Sequence, residues 1–166
     1  LPVGERRMST RPTHRFESPD SVQTLSEALA EYVQTAPNLK RGPSLSAEAQ
    51  AFFSSHDVVH VVYGCGTSMV DEAVVKLATL LGTTGGVDAL KGYREPDALD
   101  IYRDLPWADT LVALLLSPYL IARTIWRCHR QCAKWPWVGY DEHLNTPLKQ
   151  LREGFGIAVS GSRRRG

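Results

Sequence analysis

Two apolar runs joined by a Gly-Cys-Gly turn constrain this chain more than any other feature. The first, "AEAQAFFSSHDVVHVVY", follows Ser46, a residue type suited to cap a helix, and stops at Gly64 and Gly66. The second, "MVDEAVVKLATLLG", follows Ser68 with Asp71 three residues on, a capping pair, and is broken by "TTGG". Val58, Val59, Val61 and Val62 would also suit a strand, but the Ala-rich, capped approach to them favours a helix. A short turn between two helices lets the second pack back antiparallel on the first.

Other segments repeat the pattern. In "PDSVQTLSEALAEYVQTAP", Asp20 and Gln23 stand as a capping pair, and Val22, Leu25, Leu29, Tyr32 and Val33 recur at helical spacing. That helix should end before Pro37, with "NLKRGPSL" a loop. Weaker helical patterns cover "VDALKGY" and "PDALDIYRDL", and a long one runs through "PWADTLVALLLSPYLIARTIWRCHRQCAKW", where Pro118 marks a kink or a boundary. A short helix begins near Pro147 in "DEHLNTPLKQLREGFGI". Strand-type alternation is scarce, and the expected fold is all-α, a single-domain helical bundle over residues 20–158. Residues 1–19 read as a disordered basic arm rather than a transit segment, with four Arg and no acid between Arg6 and Phe16. Residues 159–166 read as a flexible polar tail.

Composition narrows the partners. With 43% hydrophobic and 22% charged residues and a net charge of +1, no bulk field points to nucleic acid, which is not expected as a partner. The apolar run from Thr110 to Ala122 is interrupted by Ser117 and Pro118 and is too short to span a bilayer. Its segment Leu111 to Leu120 faces a core, lipid or a homodimer partner. Arg123, Arg127, Arg130 and Lys134 follow helical spacing with Trp126, Trp135 and Trp137 interleaved. Such a face suits phosphate headgroups and peripheral membrane contact, or equally a solvated face over packed Trp. Cys65, Cys128 and Cys132 make no disulfide framework, which fits a reducing compartment. Cys65 reads as a packed turn residue, and Cys128 with His129 and Cys132 as a packing face rather than a second ion site.

On an ideal helix His56, Asp57 and His60 fall within an arc of about 100°, and Glu72 returns to the same point from the next helix. Two imidazoles with up to two carboxylates suit zinc (Zn2+) or another first-row divalent ion. The other reading is a helix with core histidines and solvated acids, in which the imidazoles among four valines need hydrogen-bond partners. Zinc would act as a Lewis acid, whereas oxidative chemistry would call for Fe2+, which is also bound by two His and a carboxylate. Glu72 or Asp71, when not bound to metal, can carry a proton to a substrate carbon, although Asp71 also has the task of capping. Two hydrolase templates fit poorly. Asp57 occupies the place of the general-base Glu of "HExxH" peptidases, and the upstream His that His-Asp phosphohydrolases need has only His14, in the arm, to supply it.

His-Asp-x-x-His, eleven residues, then Glu resembles the signature of the ubiquinone biosynthesis protein 4 family, a component of coenzyme Q assembly. "YGCGTS" is similar to the glycine-containing turn of bacterial members, and "YDEHLNTPLKQLREGFGI" to the family's closing segment, with Pro147, Leu148, Arg152, Gly156 and Ile157 at matching places. The resemblance runs from about residue 20 to about residue 157 and departs at Asp71, where members usually have Gly, and at "FFSS", where a Tyr-Arg pair is common. It implies a helical fold, an ion held by His56, Asp57, His60 and Glu72, and a hydrophobic cleft for a prenyl chain. The implied activity is decarboxylation, coupled to hydroxylation, at ring carbon 1 of a polyprenyl-hydroxybenzoate. For a divergent, microbial member this becomes a metal-dependent carboxy-lyase acting on a hydrophobic prenylated or polyketide-like aromatic acid. The alternative is a lipid-binding scaffold with structural zinc that organises a biosynthetic complex. Either would work in the cytoplasm or on the inner face of a membrane, on the matrix side of a mitochondrion in a eukaryote.

Overall fold

The computed structural model describes residues 14–35, 46–89, 91–92 and 107–159, with side chains of the longest helix described from Ser117 onward. The regular elements among them are helical: α1 (Leu25–Thr35), α2 (Ala47–Tyr63), α3 (Met69–Gly82), α4 (Gly86–Ala89), α5 (Trp107–His129) and α6 (Leu148–Phe155). The all-α architecture expected from the sequence is therefore the one adopted. The segments "NLKRGPSL" and "PDALDIYRDL", the arm before His14 and the tail after Val159 lie outside the described residues.

α2 is the central element. Every residue from Ser55 to Cys65 is buried, so the second half of this helix is enclosed on all sides rather than amphipathic. α1 and α3 pack against it, and α5 packs against α3. Ser46 caps α2 as expected, its Oγ accepting from the Ala49 amide at 3.1 Å. Pro118 stands inside α5, exposed, and not at a boundary. The helix continues through it although proline cannot make one backbone bond, and it is packed against α3. No helix among the described residues is long and apolar enough to cross a membrane.

Two sequence expectations are corrected at the chain's ends. The cap of α1 is Thr24 with Glu27, not Asp20 with Gln23. The Glu27 amide donates to Thr24 Oγ1 at 3.2 Å and the Thr24 amide to Glu27 Oε2 at 2.9 Å, a reciprocal box one turn later. The reason is competition for backbone. Gln23 and Ser21 carbonyls accept from the Leu148 and Lys149 amides at 2.8 and 3.0 Å, and the Leu25 amide donates to the Thr146 carbonyl at 3.1 Å. This pairing with the start of α6 keeps residues 21–24 extended and leaves Val22 exposed. The packed domain also takes in residues 14–19, given to the arm by the sequence, because Phe16 is fully buried in the core. At the other end Val159, given to the tail, is buried as well.

Candidate metal centre

The centre is built by the two ends of the α2–α3 turn. Gly64 closes α2 in the left-handed region at φ 63°, a conformation that costs glycine little. A Cβ at that position would also run into the Val159 side chain. Four residues later Ser68 caps α3, accepting from the Asp71 amide at 3.2 Å and donating to Asp71 Oδ2 at 2.6 Å. The cap sets the first turn of α3 so that Glu72 faces back onto α2.

His56, His60 and Glu72 each turn a ligand atom to one point, all within 4.8 Å of one another. The two Nε2 atoms are 3.0 Å apart. Glu72 Oε1 lies 3.2 Å from His60 Nε2, and Oε2 lies 3.5 Å from His56 Nε2. Donors about 2.1 Å from a tetrahedral zinc ion sit about 3.4 Å from each other, so this spacing fits such an ion. The chemistry of the donors fits too. His60 Nδ1 lies 2.8 Å from the Gly66 carbonyl. A carbonyl can only accept, so Nδ1 carries a hydrogen, and Nε2 is the nitrogen left to face the cluster and to serve as the donor to an ion. Tyr32 stacks on the His60 ring at 5.1 Å and Phe52 on the His56 ring at 5.9 Å, which fixes both ring planes.

Electrostatics point the same way. Burial holds His56 below its usual value, outweighing the opposing effect of Glu72. Burial alone would raise the Glu72 carboxyl, but hydrogen bonds and charge from His56 and His60 pull it well below the usual carboxylate range. A neutral imidazole and an ionised carboxylate are the protonation states a divalent ion requires. Lys76, one turn beyond Glu72, is lowered by burial while Glu72 acts to raise it.

The remaining sequence candidates fall around this set. Asp57 is buried on α2, where its charge bears on His56 and Tyr140, but it is not one of the three clustered donors. Asp71 is bound into the Ser68 cap. His14 pairs with Glu31 at 4.0 Å and stacks on Phe16. Phe16 and Tyr32 intervene between it and His60, so the phosphohydrolase template stays unfilled. Cys65 is fully buried in the turn. Cys128 is buried, its thiol pushed up to about 11 by that burial, while Cys132 and His129 are exposed. They form no second cluster of donors among the described residues.

The basic and aromatic face divides. Trp135 is fully buried and Arg127 nearly so, whereas Trp126 is exposed with the Arg130 guanidinium 4.9 Å over its ring. Sequence reasoning missed the supports of the centre. Tyr32 was legible only as one member of an apolar stripe, Phe52 only as part of a helical run, and the Gly66 carbonyl left no side-chain signal at all.

No family model matches the chain, and no curated protein or solved structure matches it.

Proposed function

We propose that His56, His60 and Glu72 hold a divalent first-row ion, zinc or Fe2+, and that the chain uses it to remove the ring carboxyl of a hydrophobic aromatic acid. The observation that carries this reading is the convergence of two imidazole nitrogens and one carboxylate within 4.8 Å. Three protein donors leave a coordination position for water or substrate, the arrangement of catalytic rather than closed structural sites. The resemblance of "HDVVH" and Glu72 to the ubiquinone biosynthesis protein 4 signature supports the ring-acid substrate. A divalent ion bound there supplies Lewis-acid polarisation of a carboxylate or phenolate oxygen, and iron would add redox chemistry toward oxygen.

The chain's own residues then have defined tasks. Glu72, held ionised between two imidazoles, binds the cation rather than donating a proton. Asp57 adds negative charge behind His56, and coordination by Asp57 would close the site into a structural one. In the simple decarboxylation the bond from ring carbon to carboxyl carbon breaks, CO2 leaves, and the electron pair stays on the ring carbon, which takes up one proton. On this reading Asp71, the residue before Glu72, relays that proton: its carboxylate accepts from Ser68 in the resting chain and first takes a proton up from water.

A second reading has its own support. Tyr119, Ile121, Ile125 and Trp126 are exposed along α5, with Arg123 over Tyr119 and Arg130 over Trp126. That surface suits a lipid layer and a scaffold with structural zinc. Release of CO2 from a prenylated hydroxybenzoate by the metal-loaded chain separates the two. The enzyme reading predicts turnover that is lost in a folded His60→Ala variant. No turnover with any ring acid, together with a melting temperature that falls on chelation, would leave the scaffold.

A further inference from the structure

The buried C-terminal end of α2 poses an accounting problem. The last four carbonyls of a helix have no partner within it, and these lie where water does not reach, since Val61, Val62, Tyr63 and Cys65 are all buried. The glycine turn serves one end of the set: the Cys65 amide donates to the His60 carbonyl at 2.8 Å, and the Gly64 amide to the Val61 carbonyl at 3.1 Å. The Tyr63 carbonyl faces the Cys65 thiol at 3.8 Å.

What completes the set comes from α6. Arg152, 4% exposed, donates Nε to the Val62 carbonyl at 2.8 Å and Nη2 to the Val61 carbonyl at 2.8 Å. The same guanidinium reaches the Phe16 and Ser18 carbonyls at 2.6 Å each. One cation thus ties Phe16, Ser18 and α6 to the negative end of α2, where a helix favours positive charge. Burial lowers the guanidinium to about 10, so it stays charged at neutral pH. The carbonyls it grips belong to the two residues that follow His60, while the Gly66 carbonyl beyond the turn holds His60 Nδ1.

We infer that Arg152 is a positioning residue of the metal centre, holding the last turn of α2 in the register that aims His60 at His56 and Glu72. The inference rests on the metal reading proposed above for its functional meaning. Its structural content, the hold on His60, can be read without metal. Loss of the guanidinium leaves the buried Val62 carbonyl unsatisfied and the Val61 carbonyl with the Gly64 amide alone, and the turn that carries His60 relaxes to find partners.

The test uses the full chain as wild type, Arg152→Met and Arg152→Lys, with Leu25→Ala as a control that weakens the core in α1. Zinc affinity is measured by competition with a chelator, and the His60 ring is followed by 15N NMR in the metal-free protein. Arg152→Met should bind zinc about 10- to 100-fold more weakly, the loss typical of an outer-shell partner, and lose the protected His60 Nδ1–H signal. Arg152→Lys should recover part of both, since an ammonium keeps the charge but cannot span four carbonyls. Leu25→Ala should melt earlier with its zinc affinity unchanged. A folded Arg152 variant with wild-type affinity and an unchanged His60 signal overturns the inference. Coupling is reciprocal, so zinc must also slow exchange of the Arg152 Nε–H in the wild type. Unchanged exchange on loading overturns the inference even if neither variant folds. A wild type that binds no zinc sinks the metal reading instead, and the His60 signal alone then decides the positioning role.

Discussion

His60 is held at both ring nitrogens, by the Gly66 carbonyl at Nδ1 and by the cluster at Nε2, so the imidazole has one orientation. Glu72 is the single anionic donor of the set. Replacing it with Gln keeps the shape and removes the charge. Zinc affinity of Glu72→Gln, measured by chelator competition, should fall by more than the roughly 100-fold upper end for an outer-shell partner. Wild-type affinity in this variant would show that the carboxylate is not a ligand. The same residues set the acid response of the metal-free chain. Because burial lowers His56 in the fold, the unfolded chain takes up its proton first as pH drops, and acid favours unfolding. Stability is full above the ordinary imidazole value of 6.5 and declines below it. Glu72 is also lowered, so its contribution is present above the ordinary carboxylate value of 4.5 and is lost only in stronger acid. Melting temperatures of metal-free protein between about pH 8 and about pH 5 should therefore hold steady and then fall below about 6.5. A flat profile across that range would contradict a buried neutral His56.

At the scale of the element, caps separate stability from function. Ser68 and Thr24 each cap a helix through a side-chain oxygen, but only the Ser68 turn places Glu72. Ser68→Ala and Thr24→Ala should each lose about 1 kcal/mol in urea unfolding, while zinc affinity weakens in Ser68→Ala alone. Equal zinc affinities in the two variants would mean that the start of α3 does not position the ligand. These elements also show where sequence reading succeeds. Ser46, Ser68, Gly64 and Pro147 act locally, through bonds to residues a few positions away, so their residue types announce α2, α3 and α6 directly. The start of α1 failed to announce itself because Ser21 and Gln23 give their carbonyls to Leu148 and Lys149, more than a hundred residues along the chain. The valines of α2 were ambiguous for a related reason: the half of the helix that carries them is buried on every side and has no solvated face to reveal its period.

Over the whole molecule, the ends of the described chain close on its centre. Phe16 and Val159 enter the core beside α2, and Arg152 joins both flanks to the turn after His60. Spacing alone brought His56, His60 and Glu72 into one candidate set. It also enlisted Asp57, because an arc on an ideal helix fixes direction but not which side chain reaches the shared point. The supports, Tyr32, Phe52 and the Gly66 carbonyl, arrive through packing of separate segments and were not legible from spacing. The central claim is that three of these side chains make one ion site. Equilibrium dialysis of the full chain against zinc, followed by metal analysis, tests it most directly. The account predicts one zinc per wild-type chain and none in folded His60→Ala, whereas a wild type without stoichiometric zinc, or a His60→Ala variant that retains it, would contradict it.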